Sequence, residues 1–145
     1  MNEFAWREMT LQDRTNGIQW LIDSTQRNTG KSKANMPQDF FPETGITVLY
    51  RDKPAAVITV YLELTTNTAV LGVCMLNTSL SARVRHRAAE AAIGHAVEYV
   101  RKLGKKYILS LFGNRAVNRI ADRQGFFTAD KNVEEKFLIL NEQGV

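Results

Sequence analysis

The sequence predicts an α+β chain in which an antiparallel meander of strands leads into a βαβ unit. Three observations carry that reading. Residues 45–76 hold three runs rich in Val, Ile, Thr and Leu, parted only by short turn signals, around Asp52, Lys53 and Pro54 and then around Asn67. Strands so closely linked pair as antiparallel neighbours. Residues 82–102 set Ala89, Ala92, Ile93, Ala96, Val97 and Val100 along one helical face. KKYILSLF (105–112) then returns as a strand, and strands joined through a helix run parallel or are separated by a crossover.

Taken in order, residues 3–9 (EFAWREM) alternate weakly and predict a first strand. Thr10 is a candidate N-cap, with Asp13 three residues on, for a helix over LQDRTNGIQWLIDSTQRN (11–28). Ile18, Leu21 and Ile22 give that helix an apolar face, with Trp20 at its flank, and Gly17 weakens it by about 1 kcal/mol relative to Ala. Residues 28–45 carry glycine and proline breakers and predict a loop with one short helical turn near 38–41. The adjacent Phe40 and Phe41 there either anchor the loop to the core or form a lid. Strands follow over 45–52, 55–66 and 68–76. The second puts Ala56, Ile58, Val60, Leu62 and Leu64 on one face and Val57, Thr59, Tyr61 and Glu63 on the other. The third is apolar on both faces, the mark of a central strand covered on both sides. After the 105–112 strand, considered buried, NRAVNRIADRQ (114–124) predicts a short helix ending at Gly125, and residues 126–140 predict two short strands around 130–132.

The 145 residues suit one domain, 1–145, and 44% hydrophobic with 23% charged residues places the chain among globular proteins. No window approaches the run of about 18 apolar residues that a membrane span needs, and MNEFAWREMT does not read as a signal peptide. The single cysteine, Cys74, excludes an internal disulfide, and no Cys/His cluster offers a metal site, so no metal is expected. These features lead us to expect a cytoplasmic protein, in the host's cytoplasm if the gene is phage-borne. The net charge of +4 favours anionic partners. Nucleic acid is disfavoured, because the basic residues are scattered and no strand interleaves aromatic with basic residues.

The stretch 77–104 carries the first functional signal. Asn77, Thr78, Ser79 and Ser81 make a turn-rich opening, Arg83, Arg85, His86 and Arg87 follow, and Gly104 stands at the helix C-cap after Arg101 and Lys102. Cations in a first helical turn oppose the helix dipole by about 0.3 kcal/mol or more each. An anion bound there, phosphate or carboxylate, would remove the conflict. A solvated basic turn that binds nothing is the alternative.

The whole pattern resembles the GNAT superfamily, the acyl-CoA-dependent N-acetyltransferase fold. Three segments carry the resemblance: WREMTLQDR (6–14), similar to the family's first strand and helix entry; the helix over 82–102 followed by LGKKYILSLF, similar to its central phosphate-binding turn, helix and strand; and NRAVNRIADRQGFF (114–127), similar to its Asn…Gly-Phe close, with Asn114, Gly125 and Phe126 in register. The resemblance implies a three-layer α/β/α fold with a mixed sheet. It also implies acetyl-CoA as co-substrate and a primary amine, on a small molecule or a protein, as acceptor. Two departures stand out. Counting back from Gly104, the family's glycine-bearing turn falls on His86, Ala89 and Ala91, so alanine replaces glycine; an alternative register starts the helix near Ser81, with Ser79 or Ser81 as N-cap and Arg83 and Arg85 in its first turn. The tyrosine that often protonates the leaving thiolate is replaced by Ala121.

Carried onto this chain, the resemblance implies that backbone groups at Cys74, Met75 and Leu76 pair with the pantetheine arm where strands 68–76 and 105–112 splay. It further implies that Arg83, Arg85, His86, Arg87, Ala88 and Ala89 hold the pyrophosphate, and that Asn114 touches the cofactor. The acid within the central strands, Glu63, is the candidate base for the amine; its other reading is an exposed residue on a strand's outer face. Cys74 reads as a small buried hydrophobe rather than a nucleophile, and His95 as a solvated residue away from the apolar stripe. Beside the enzyme stands a second reading, a GNAT-fold module that binds acyl-CoA or a protein partner without turnover. A homodimer through FLIL (137–140) is a further expectation.

Overall fold

The computed structural model describes residues 3–24, 36–110, 112, 115–131 and 135–140. Strands β1 (Phe4–Glu8), β2 (Gly45–Tyr50), β3 (Lys53–Leu62), β4 (Thr68–Leu76) and β5 (Tyr107–Ser110) form one sheet in sequential order. The first four are antiparallel, and β5 joins β4 in parallel. Helix α1 (Leu11–Ser24) lies between β1 and β2, α2 (Ala82–Lys102) links β4 to β5, and α3 (Arg115–Arg123) follows β5. A single 3-10 turn, Gln38–Phe40, stands where a short helical turn was expected.

The sheet separates two apolar layers. On one face Phe4, Ile46, Val48, Ile58 and Val60 meet Ala88, Ala92, Ile93 and Ala96 of α2 and Ile120 of α3. On the other, Val57 and Met75 meet Ile18 of α1, together with Met9 and Phe41. This is the three-layer arrangement, but the middle and most buried of the five strands is β3, and β4, expected to be central, lies between it and β5 and is mostly half-buried. Alanines along the buried stripe of α2 let that helix settle close to the strands. Gly17 serves the same purpose in α1, since a Cβ there would sit 3.0 Å from Met75 Cε and 3.2 Å from Val57 Cβ. The helix runs unbroken through it.

The helix ends follow local rules. Thr10 Oγ1 accepts from Asp13 N at 3.1 Å while Asp13 Oδ2 accepts from Thr10 N at 3.0 Å, a reciprocal capping box. Asp13 is 2% exposed and also accepts from Thr47 Oγ1 and Arg7 Nη2, both at 2.8 Å, so it ties α1 to β1 and β2. α2 closes on Gly104 at φ +82°, with Gly104 N donating to Arg101 O and Lys105 N to Val100 O. That is the Schellman pattern. α3 repeats it at Gly125, where Gly125 N donates to Asp122 O and Phe126 N to Ala121 O.

Several boundaries differ from the expectation. The β2–β3 turn is made by Arg51 and Asp52, both with positive φ, and Lys53 and Pro54 already belong to β3. Two left-handed residues match the twist of the flanking strands, which is why the turn is that tight. Pro54 is tolerated because β3 bulges beside it: Val48 lies opposite Ala56 but Leu49 opposite Pro54. β3 ends at Leu62, so Leu64, 93% exposed, and Glu63 fall in a turn rather than in a strand. β5 is shorter than expected and not buried: Tyr107 and Leu109 face outward at 65% and 52% exposure. No strand forms within 126–131 or 135–140 among the described residues, which leaves β5 at the described edge of the sheet. His95 stacks on Trp6, with ring centroids 5.8 Å apart, and is half-buried instead of solvated.

Candidate active site

The site is built where β4 parts from β5. Ile58 of β3 pairs with Cys74, but Val60 pairs with Leu71, so β4 carries one extra residue across Gly72 and Val73. Such a bulge bends the strand and re-aims its backbone. Position 72 demands glycine: a Cβ there would run into Thr59 Oγ1 and lie 3.2 Å from the Tyr61 ring. β5 pairs with Thr68 to Leu71 and stops at Ser110, while β4 continues to Leu76. Over 72–76 β4 therefore has β3 on one side and no strand on the other among the described residues.

At the far end of β4 the chain turns into α2. Asn77 fixes the turn. Its N donates to Ala55 O and its side-chain amide to Pro54 O, while its Oδ1 accepts from Ser79 N and Ser79 Oγ. Ser81 caps the helix, with Oγ accepting from Val84 N at 3.3 Å, so the register that starts near Ser81 is the one adopted. His86, Ala89 and Ala91 lie inside α2, where their N–H groups are spent on intrahelical bonds. With alanine in place of glycine, helix is the favoured state of this stretch.

The four cations do not converge. At about 100° per residue, successive side chains fan around the helix. Arg85 turns back, donating to Leu80 O at 2.9 Å and Thr78 O at 3.4 Å, and so braces the turn. Arg87 reaches toward β1, 3.6 Å from Glu3 and above the Phe4 ring. Arg83 and His86 are exposed on the outer face, and Ala88 and Ala89 are buried against the sheet. Asn114 lies outside the described residues. Asn118 of α3 donates to Phe112 O at 2.7 Å.

Beside the bulge, on the α1 face of the sheet, opens a cleft of about 330 Å³. Its floor is Val70, Leu71, Gly72 and Val73 of β4, its wall is Tyr61, and its rim is Phe40, Phe41, Phe137 and Glu135. Phe40 packs edge-on against both Phe41 and Phe137, with centroids 5.3 and 5.2 Å apart. Both phenylalanines line the cleft, and Phe41, 2% exposed with its carbonyl held by Arg14, also anchors the loop to the core. Tyr61 Oη donates to Phe40 O at 3.4 Å. Burial, then the nearby negative charge of Glu135, pushes the Tyr61 hydroxyl above its ordinary pKa, so it stays protonated at neutral pH.

Glu63, the carboxylate singled out by sequence, does not line this cleft. It is exposed, and its Oε1 accepts from Thr65 N at 3.0 Å and Thr65 Oγ1 at 2.8 Å. Those bonds, the backbone one foremost, hold its pKa below the usual range. Cys74 faces the α2 layer, and burial pushes its thiol up to about 12, which leaves it un-ionised. Met75 is buried under α1, and Leu76 packs partly buried on the α2 side. Ala121 is 4% exposed. Sequence reasoning placed Tyr61 on the right face of β3 but gave Glu135 and Phe137 no part in the site, because it read their segment as strand where the structure has irregular chain. Among the described residues no group of His, Cys, Asp and Glu is arranged for a metal ion, and no helix is long and apolar enough to cross a membrane.

No family model matches the chain, and no curated protein matches it in sequence. Solved structures do match in shape. A transcriptional regulator from Bacillus halodurans C-125 superposes with TM-score 0.64 at 14% identity, over 92% of this chain and 99% of its own. An aminoglycoside acetyltransferase from an uncultured soil metagenomic sample, in complex with sisomicin, gives 0.61 at 12%, over 97% and 98%. A Salmonella typhimurium protein assigned as an acetyltransferase, solved with its cofactor acetyl-CoA, gives 0.64 at 9%, over 87% and 80%. The fold is that of the GNAT acetyltransferases. Within that GNAT fold, the bulge, the parted strands and the aromatic cleft form one continuous region.

Proposed function

We propose that this chain is an acetyl-CoA-dependent N-acetyltransferase whose acceptor is a primary amine. The observation that carries the proposal is the bulge in β4, just past its last described pair with β5, beside a cleft lined by a carboxylate. The residues present fit the co-substrate. Among the described residues, 72–76 of β4 have no strand on their β5 side, an edge that suits the amides of the pantetheine arm, the role expected of backbone at Cys74, Met75 and Leu76. The capped start of α2 offers the N–H groups of Ala82 and Arg83, and the exposed Arg83 and His86, to its phosphates. Arg85 supports this site by holding the turn, and Arg87 is turned toward β1. Acetyl-CoA supplies the acyl group as an activated thioester.

The chain's own part is positioning and proton removal. The floor at Gly72 and Val73 and the wall at Tyr61 bring an amine up to the parted strands. We assign the base to Glu135, which lines the cleft, in preference to Glu63, which caps its own turn. The Tyr61 hydroxyl, held protonated, donates to Phe40 O and fixes the cleft wall. The test is mass-spectrometric detection of acetylated product from a mixture of primary amines with acetyl-CoA. Glu135→Gln should slow product formation with acetyl-CoA affinity kept, and Glu63→Gln should not. Equal loss in both variants, or none in either, contradicts the assignment.

One observation favours a second reading. The stretch that would form the family's glycine-bearing phosphate turn is helical from Ala82 onward, which suits a GNAT-fold module that binds an acyl-CoA or a protein without turnover. Acetyl-CoA binding with no product from any amine would select it.

A further inference from the structure

We propose that the Thr59 hydroxyl is a positioning group for the acetyl end of acetyl-CoA, acting through the backbone of the β4 bulge. The inference rests on the acetyltransferase reading and adds to it a residue outside the cleft lining. Its basis is an unsatisfied oxygen. Three polar side chains are buried among the described residues: Asp13, Thr47 and Thr59. Thr47 Oγ1 donates to Asp13 Oδ2 at 2.8 Å, so those two satisfy each other. Thr59 has no exposure, and its Oγ1 has no hydrogen-bond partner among the described residues. Valine would fill nearly the same space without burying a hydroxyl, so the oxygen lowers stability where it stands. A buried polar group left unpaired in a folded chain calls for a reason.

Its place supplies one. Ile58 pairs with Cys74 and Val60 with Leu71, so Gly72 and Val73 together stand opposite Thr59. A bulge of this kind leaves a backbone unit of the longer strand without its ladder partner. The Thr59 oxygen is aimed at that unit, since it fills the space a Cβ at position 72 would need. The same glycine forms part of the cleft floor. A hydroxyl donates and accepts, and its hydrogen turns to suit its partner. With the acetyl group at the bulge, a peptide N–H that donates to the thioester carbonyl is strengthened when Thr59 donates to the carbonyl of the same peptide, because hydrogen bonds in series polarise one another. Thr59 thereby holds the bulge in its acetyl-binding position, and the partner it lacks in the free chain is gained in the complex.

The test uses Thr59→Val, which keeps the shape, and Thr59→Ser, which keeps the hydroxyl. Without ligand, Thr59→Val should unfold about 3 °C above wild type. A lower unfolding temperature overturns the inference, since it would show the hydroxyl bonded within the free fold. Calorimetric titration with CoA and with acetyl-CoA then separates positioning from packing. Thr59→Val should bind CoA as wild type does and lose about tenfold in affinity for acetyl-CoA, the scale of one hydrogen bond. Thr59→Ser should restore most of that loss. An equal change for the two ligands, no change for either, or a serine variant no better than the valine one overturns the inference and leaves the acetyltransferase reading in place. Failure of the wild-type chain to bind either ligand overturns both.

Discussion

Replacing Gly72 by alanine probes the bulge on which the site depends. The added methyl would collide with Thr59 Oγ1, on a stiff β-branched side chain with no exposure, and would sit 3.2 Å from Tyr61 Cε2 and 3.3 Å from the Thr59 carbonyl oxygen. Because the Thr59 oxygen belongs to the ladder, relief has to come from the two side chains. Overpacking of this kind costs about 1–3 kcal/mol. For a chain of this length about 2 kcal/mol corresponds to a fall in Tm of about 6–8 °C. Thr59 Oγ1 has no hydrogen-bond partner among the described residues, so Thr59→Ala removes the obstacle without breaking a bond. The double variant should regain at least about 0.5 kcal/mol relative to the sum of the single changes. Urea unfolding of the four proteins, with m-values compared, measures the cycle. An unchanged midpoint for Gly72→Ala, or strict additivity in the double variant, would refute the packing described for the bulge.

Three further outcomes follow from particular residues. Asp13 is desolvated by burial, but its bonds from Thr10, Thr47 and Arg7 outweigh that and lower its pKa. Its share of stability is therefore present above the unfolded value near 4 and is lost as pH falls through the lower folded value. Asp13→Asn should cost about 1–3 kcal/mol at pH 7, with the gap from wild type narrowing below about pH 4; a gap independent of pH contradicts this. Cys74, half-buried and with its thiol pushed up to about 12, should be alkylated more slowly at pH 8 than after urea unfolds the chain, and equal rates in the folded and unfolded protein would contradict the raised value. Arg83→Ala should weaken acetyl-CoA binding by about 1 kcal/mol, or about fivefold, as expected for an exposed charge, and Arg87→Ala should leave affinity unchanged, a contrast read directly by calorimetry.

Much of the fold was legible because its signals are local. The end of α2 followed from Gly104 and its buried face from the alanine stripe, while its start stood between two registers of which the structure adopts the one capped by Ser81. The site was less legible, for a physical reason. Periodicity states which residues share a helix, not which way each side chain turns once a neighbour is in reach. Arg85 finds the carbonyls of Thr78 and Leu80, and Arg87 finds Glu3 and Phe4, so a run that looked like one anion cradle is divided among three directions. Glu63 was assigned to a strand because the alternation of β3 continues through it, yet Thr65 offers its carboxylate a closer partner in the turn. The cleft depends on pairing between distant segments, Phe40 against Phe137 and Tyr61 near Glu135, and such pairing leaves no mark in a short window of sequence.

The measurement that bears most directly on the central claim is calorimetric titration of the protein with acetyl-CoA, paired with thermal unfolding in its presence. The account predicts one saturable site at micromolar concentrations and, at 100 times the dissociation constant, stabilisation of about 2.7 kcal/mol. No heat of binding and no shift in unfolding temperature would contradict it, and would show that the parted strands and the capped start of α2 do not form a CoA site.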